Sequence, residues 1–474
     1  MSLFKNLFIY LLLTIPLLAN HQVQDSIVKI YTVSKIPDYS TPWNSSMRRS
    51  NGSGSIIMGN RILTNAHVVA NQTFIEVKRH GDTKRYQAHV EYISHQADLA
   101  LLMLEDDSFF KGTTSLEFDG LPDIQQEVTL YGFPMGGHSL SVTNGVVSRI
   151  EHTRYAHSKE IFLSIQIDAA VNPGNSGGPA ISDGKIVGVV MQQISNSQNI
   201  GYLVPVEIVK HFLDDIKDKK YDGFPHLGIS TERLNSEALR NVYKMDKDTT
   251  GVLLIDISKT STAKEKLKEG DVIISICGNK IENDGTIEYR RHQYTSYKYF
   301  IDQKQLGESI TLGILRDGKK TEIDIEMTNI ADNDLLVNTV SYDVMPKYFI
   351  YGGYTFVPLT RNLLMSTNAT LLQLRESASQ WATEEKEEVV VLLKVLASKI
   401  SRGDHNFAYW IVDKVNNKEF KNFKEFVNIV KNFKGEYIVF ENKDGIKVAI
   451  ERKKALEIEK TILQRYSIES SSRL

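Results

Sequence analysis

The stretch Asp168-Ala169-Ala170-Val171-Asn172-Pro173-Gly174-Asn175-Ser176-Gly177-Gly178-Pro179 sets a serine among glycines. There the Ser176 hydroxyl stands clear of bulk, and the backbone N–H groups around it can converge on one point. Gly174 and Ser176 are the expected donors, with Asn175 shaping the backbone between them. Two such donors stabilise the oxyanion of a tetrahedral intermediate. Taken alone, Gly-Asn-Ser-Gly-Gly-Pro serves equally well as a surface turn, because these are common turn residues. A serine hydroxyl becomes a useful nucleophile only when a base takes its proton and an acid orients that base. Upstream, Leu63-Thr64-Asn65-Ala66-His67-Val68-Val69 ends an apolar strand on a histidine, and His95-Gln96-Ala97-Asp98-Leu99-Ala100-Leu101-Leu102 opens an apolar strand with an aspartate. His67 is the expected base, Asp98 its orienting carboxylate and Ser176 the nucleophile. One histidine among 12 is more often structural, and an aspartate before a strand is more often a turn residue. All three coincidences would have to hold together.

The order His67, Asp98, Ser176 is that of chymotrypsin-type double barrels, and differs from the orders in subtilisin and the α/β-hydrolases. Thr-Asn-Ala-His-Val-Val, Asp-Leu-Ala-Leu-Leu and Gly-Asn-Ser-Gly-Gly-Pro resemble the three catalytic blocks of the HtrA/Deg family of serine proteases. Gly52-Ser53-Gly54-Ser55, Gly132-Phe133-Pro134 and Thr143-Asn144-Gly145-Val146-Val147-Ser148 are similar to adjoining blocks of that family. The resemblance implies a mainly β fold: a chymotrypsin-like double β-barrel protease domain followed by two PDZ-like α+β domains. It also implies no cofactor and no metal. By the same resemblance, Asn199 to Pro205, with Ile200, Gly201, Tyr202 and Leu203, forms a wall of the specificity pocket and pairs with substrate backbone. Without a charged residue there, small or medium apolar side chains are the expected preference.

At 474 residues the chain exceeds what one core serves. Its 41% hydrophobic and 24% charged residues and net charge of −2 describe ordinary globular domains. Nucleic-acid binding would need a concentrated basic excess. The single cysteine, Cys277, excludes an intramolecular disulfide framework and leaves an oxygen as the nucleophile. Met1 to Lys5 is short and basic, and Leu7 to Ala19 is almost wholly apolar, the layout of a secretory signal peptide. The apolar run is shorter than the ~20 residues of a spanning helix. Residues 1–19 are therefore expected to be cleaved, leaving an exported, periplasmic protein without a membrane span.

The protease domain is expected over 20–222. Short alternating strands at regular spacing favour a barrel, residues 34–51 read as a polar surface loop, and the charged stretch to Asp222 reads as a linker. Residues 223–330 form the first PDZ-like unit, carrying Gly270-Asp271-Val272-Ile273. Leu227, Gly228 and Ile229 are its expected carboxylate-facing loop and edge strand, since PDZ domains capture extended chains by adding a strand. Residues 283–306 are longer and more polar than a minimal loop. A divergent second PDZ unit is expected over 340–454, with Tyr351 to Leu359 as its edge strand, followed over 455–474 by a charged helix running into a Ser-rich, disordered tail. Gly352-Gly353-Tyr354-Thr355-Phe356-Val357-Pro358-Leu359-Thr360 resembles the plant-type Deg proteases.

The resulting expectation is an ATP-independent serine endopeptidase for unfolded or damaged proteins, with PDZ units for substrate binding and assembly. The resemblance implies a homo-oligomer, a trimer or hexamer. The alternative is a proteolytically latent chaperone or peptide-binding scaffold.

Overall fold

Along Ile27–Pro37, alternate side chains turn to opposite faces, as an extended strand requires. Val28 and Ile30 enter one apolar cluster and Ile27 another. The same pattern recurs through a computed structural model that describes residues 23–137, 139–193, 200–328, 335–367 and 372–474. The expected signal peptide, and Asn199 at the head of the pocket strand, lie outside the described residues. Among the described residues no helix is long and apolar enough to cross a membrane.

Six strands, β1 (Ile27–Pro37), β2 (Ser45–Ile57), β3 (Arg61–Thr64), β4 (Gln72–Arg79), β5 (Tyr86–Ser94) and β6 (Leu99–Leu104), close a barrel in the order β1-β2-β3-β6-β5-β4. Six more, β7 (Glu127–Gly132), β8 (Ser141–Arg154), β9 (Ile161–Ile167), β10 (Pro179–Ser182), β11 (Lys185–Gln193) and β12 (Gly201–Pro205), close a second as β10-β11-β12-β9-β8-β7. Each barrel has its own core. Ile30, Ile56, Ile62, Val77 and Leu102 fill the first, and Leu130, Val147, Ile165, Val187 and Leu203 the second. A third cluster draws Leu63 and Leu101 from one barrel and Tyr131, Phe133, Tyr202 and Val204 from the other. Each fully buried side chain of this size stabilises the fold by roughly 1.5–3 kcal/mol, so the third cluster fixes one barrel against the other.

The chain divides into two compact units. The first holds both barrels and an antiparallel sheet of β13 (Ile229–Arg233), β14 (Val252–Ile257), β15 (Val272–Ile276), β19 (Ser309–Arg316) and β20 (Lys319–Glu326), ordered β13-β14-β15-β19-β20, with the short β16 (Asn279–Lys280) beside β15. The supposed linker is packed rather than free. Asp215 accepts the N–H of Asp222 and of Gly223 at 3.1 and 2.9 Å, and Phe224 stacks on the buried His211 ring with centroids 3.9 Å apart. The long insertion forms a hairpin, β17 (Thr286–Arg290) with β18 (Gln293–Ser296), and a short 3-10 turn over Tyr297–Phe300. That hairpin lies on the second barrel. Arg290 donates to the carbonyls of Leu121 and Pro122 at 2.6 and 2.7 Å, and the buried His152 ring sits between Thr295 Oγ1 (2.8 Å) and Asp302 Oδ2 (3.0 Å). In the Gly-Asp-Val-Ile block, the buried Asp271 carboxylate takes two 2.6 Å hydrogen bonds from the Arg316 guanidinium.

The second unit contains residues 35–46, 258–264 and 329–474. Residues 34–51 are thus not the expected loop. They form the facing arms of β1 and β2, and Tyr39 and Trp43 from the tip pack with Tyr348, Leu359 and Ile462. The main sheet runs β24 (Trp410–Val412), β23 (Val390–Val395), β22 (Tyr354–Pro358), β21 (Tyr348–Tyr351), β28 (Ser472–Arg473). A smaller one is made of β25 (Lys414–Val415), β26 (Tyr437–Glu441) and β27 (Lys447–Glu451). Tyr351 to Leu359 is therefore not an edge. The Gly352-Gly353 turn folds β21 back onto β22, while β23 occupies the other side. A helix over Phe423–Asn432, capped by the Asn422 side chain, buries Phe423, Phe426, Val427 and Val430 against Phe349 and Phe356. The closing segment starts as a helix, but its Ser-rich end is not a disordered tail. The helix Arg452–Arg465 buries Ala455 and Ile462, and Ser472–Arg473 pairs with β21. Arg473 lies over the Tyr348 ring and donates to the carbonyls of Pro42 and Pro346.

Arg316→Leu will leave the buried Asp271 carboxylate without its counter-charge, with the Lys268 N–H still donating to it at 2.8 Å, and lower the unfolding free energy by about 3 kcal/mol, read by urea denaturation. A loss under about 1 kcal/mol would mark the pair as no stronger than a surface ion pair.

Candidate active site

β3 carries the chain into a short helix, Ala66–Val69, and thereby delivers His67. Asp98 stands just before β6 in a left-handed conformation (φ 56°), which aspartate tolerates better than most residues. Antiparallel pairing of Thr64 with Ala100 brings the two strand ends together. One buried carboxylate then serves His67 twice. Asp98 Oδ2 lies 2.7 Å from the ring Nδ1, and Asp98 Oδ1 accepts the His67 backbone N–H at 2.9 Å. Asn65 Nδ2 donates to the Asp98 carbonyl at 2.8 Å, fixing the backbone on which the carboxylate stands.

Burial alone would lower the His67 pKa, but the Asp98 charge and hydrogen bond prevail and hold it above its ordinary value. Burial would conversely raise the Asp98 pKa, and the nearby His67, its hydrogen bonds and the His157 ring hold it below the usual carboxylate range. This places Nδ1–H on Asp98 and leaves Nε2 to take up a proton. Two histidines that the spacing did not single out stand beside the pair. The His157 and His67 ring centroids are 6.2 Å apart, and His157 Nε2 is 3.0 Å from His95 Nδ1. His157 sits on the connection between β8 and β9, where no local pattern distinguishes it from a turn residue.

Ser176 lies on the turn between β9 and β10, against the first barrel. Its carbonyl accepts the Ser53 N–H at 2.9 Å. Its Oγ donates to the Met191 carbonyl at 3.2 Å, and among the described residues no hydrogen bond joins it to His67. Gly174 has φ 101°, and a Cβ there would fall 2.5 Å from the Phe133 carbonyl oxygen. Gly177 has φ 85°, and its Cβ would fall 2.2 Å from the Ser53 oxygen. Only glycine fits either position. The Pro173 carbonyl accepts the Met135 N–H at 2.7 Å and the Asn175 carbonyl accepts the Gly178 N–H at 3.0 Å. In a planar trans peptide the following N–H points the opposite way, so the Gly174 and Ser176 N–H groups both face away from those contacts. The Asn175 N–H bonds to the Asn172 carbonyl at 3.0 Å and is no oxyanion donor.

The backbone of the expected pocket strand is already paired. Gly201, Tyr202 and Leu203 are paired with β11 on one side and β9 on the other, and all three are buried. With both edges taken, their backbone cannot pair with a substrate. Only Ile200, half-buried at the head of β12, precedes the doubly paired segment among the described residues. In the expected first PDZ unit, β13 lies at the edge of its sheet, starting at Ile229. Leu227 is buried, and the Gly228 N–H, expected to receive a carboxylate, donates instead to His226 Nδ1 at 2.7 Å. Across that edge, Tyr297 Oη lies 3.2 Å from Thr231 Oγ1. Among the described residues no group of three or more His, Cys, Asp and Glu side chains is gathered to hold a metal.

The trypsin-like peptidase domain family matches residues 52–189, and the PDZ domain family matches residues 337–473, the unit expected to be divergent. Protease Do-like 4, mitochondrial, of Arabidopsis thaliana is 36% identical over 94% of this chain and 85% of its own length. Protease Do-like 2, chloroplastic, of the same plant is 36% identical over 94% and 74%. Among solved structures, the HtrA-type protease AlgW with a tripeptide aligns at a TM-score of 0.51 and 24% identity, covering 65% of this chain and 95% of that one. This last likeness is one of fold.

Because the His67 pKa is raised and the base acts when neutral, kcat/KM for peptide hydrolysis will rise with pH as His67 loses its proton. The midpoint will lie above the ordinary histidine value of about 6.5. A pH–rate profile whose acidic limb has its midpoint at or below that value would contradict the coupling to Asp98.

Proposed function

The chain belongs to the Do-like, or HtrA/Deg, family of serine proteases, and from this we propose an ATP-independent endopeptidase that degrades unfolded or damaged proteins by a His67-Asp98-Ser176 triad. The observation that carries the reading is the Asp98 carboxylate engaged twice by His67, with the glycine-built Ser176 turn held on the neighbouring barrel.

In this mechanism Ser176 Oγ leaves the Met191 carbonyl and attacks the substrate carbonyl carbon while its proton passes to His67 Nε2. Asp98 keeps the imidazole in the required tautomer and stabilises its charged form. The oxyanion is received by the Gly174 and Ser176 N–H groups, an interaction worth about 3–4 kcal/mol per donor in comparable sites. His67 then protonates the departing amine, and the acyl-enzyme is hydrolysed by a water that His67 activates in turn. Small or medium apolar side chains remain the proposed preference at the cleavage site.

Residues 223–330 are proposed as a first PDZ unit whose edge strand β13 pairs with an extended chain. The capped Gly228 N–H and the Tyr297–Thr231 contact support a closed groove that a ligand has to open. In the second PDZ unit β21 occupies the side of β22 where a peptide would add, which favours assembly over peptide capture. A trimer or hexamer is the proposed state. The basic and apolar composition of residues 1–19 supports export, with a bacterial periplasm as the proposed destination, although the relatives above carry mitochondrial and chloroplastic names.

Two measurements test this reading. Purified protein will degrade β-casein without ATP, and Ser176→Ala will not, while keeping its fold by circular dichroism. Substantial hydrolysis by Ser176→Ala would overturn the nucleophile assignment, and none by either protein would favour a latent chaperone. The mature protein will begin at Asn20 by N-terminal sequencing, whereas an intact Met1 in the secreted fraction would contradict cleavage.

A further inference from the structure

Gly52-Ser53-Gly54-Ser55 adjoins the histidine block but contributes nothing to the triad. Ser53 lies on β2 and is fully buried. All of its polar groups are nevertheless engaged, and three of their four hydrogen bonds go to the nucleophile turn or the segment behind it. Its N–H donates to the Ser176 carbonyl at 2.9 Å. Its Oγ donates to the Gly174 carbonyl at 2.8 Å and accepts the Phe133 N–H at 2.8 Å. Its own carbonyl accepts Thr64 Oγ1 at 2.7 Å, linking it to the strand that carries His67.

These contacts complete the control of the turn. The Pro173 and Asn175 carbonyls, which aim the Gly174 and Ser176 N–H groups, are held by Met135 and Gly178. Between them lies the Gly174–Asn175 peptide, whose carbonyl is held by Ser53 and whose N–H is held by Asn172. Glycine at position 174 offers no steric resistance to rotation of that peptide, so the hydrogen bonds must supply it. The same hydroxyl grips Phe133, two residues before the Met135 N–H that holds Pro173. A serine hydroxyl has one proton and two lone pairs, enough for both tasks. A Cβ on Gly132 would lie 3.0 Å from Ser53 Oγ, so the hydroxyl is closely hemmed in.

We propose that Ser53 is a positioning residue for the oxyanion site: its hydroxyl locks the Gly174–Asn175 peptide and the Phe133–Met135 segment together, so that the Gly174 and Ser176 N–H groups keep a common aim. This inference rests on Ser176 as nucleophile. Removing the hydroxyl leaves the Gly174 carbonyl and the Phe133 N–H without partners and frees the central peptide to turn.

The test compares full-length wild type, Ser53→Ala and Ser176→Ala, with competent sites counted by endpoint labelling with a fluorophosphonate. Per competent site, Ser53→Ala will lower kcat on a short peptide by about 10- to 100-fold, somewhat less than removal of a donor itself, with KM little changed. Affinity for a peptide boronate will fall by a similar factor. In that adduct boron accepts a lone pair from Ser176 Oγ, the serine proton passes to His67, and a boronate oxygen takes the oxyanion position. A purely structural role would reduce the number of competent sites or the melting temperature while leaving kcat and boronate affinity per site unchanged, and that result overturns the proposal. Should Ser53→Ala fail to fold, Ser53→Cys carries the test. Its weaker hydrogen bonds predict an intermediate loss of boronate affinity, and wild-type affinity overturns the proposal. Hydrolysis by Ser176→Ala would bring down the nucleophile reading and this inference with it. Inert Ser176→Ala beside undiminished Ser53→Ala removes this inference alone.

Discussion

A peptide N–H can be aimed only by holding the carbonyl on the other side of the same plane. The turn over 172–178 is governed by that constraint. Two donors aimed at one point, as proposed for Gly174 and Ser176, require the paired carbonyls to be held, and the carbonyls of Pro173 and Asn175 are anchored to Met135 and Gly178. The anchors come from different places. Met135 belongs to the segment after β7, whereas Ser53, which holds the intervening Gly174 carbonyl, belongs to the other barrel. The site therefore depends on the apolar cluster shared by both barrels. Lys29, whose neighbours on β1 fill the first barrel, adds a polar strut between them. The residue is almost wholly buried, and its ammonium donates to the Gly137 carbonyl at 2.7 Å. Burial, with Lys78 and Arg85 nearby, holds its pKa below the ordinary lysine value.

Electrostatics supply the other half. A buried carboxylate is costly unless it is hydrogen-bonded, and Asp98 meets that requirement through the backbone and ring N–H groups of His67. The stabilisation is mutual: the carboxylate stays ionised, and the imidazole becomes a stronger base than a free histidine. The His157 and His95 rings extend this polar cluster beyond the triad, so the field at Asp98 reflects more than one imidazole.

The proposed triad could be picked out because its chemistry restricts residue type, and because His67 and Asp98 flank apolar strands while Ser176 sits in a glycine-rich turn, features that local pattern reveals. The two barrels followed from short, evenly spaced alternating strands. What local pattern hides is pairing between distant segments. Nothing in Gly201-Tyr202-Leu203 states that both strand edges are occupied. Nothing in Tyr351 to Leu359 states that β21 will fold back across the Gly-Gly turn. The Ser-rich end looked like a tail because polar composition hides backbone pairing, yet Ser472 and Arg473 close a sheet. Ser53 was visible as part of a block, but the hydrogen bonds on which its proposed role rests reach residues 80 and 121 positions away.

The most direct test of the central claim, that the barrels assemble one reactive serine dependent on His67, is site-resolved labelling. A fluorophosphonate should modify Ser176 alone, identified by peptide mass spectrometry, with the rate falling by orders of magnitude in a folded His67→Ala variant. Equal labelling of that variant, or modification at another serine in the wild type, would contradict the account.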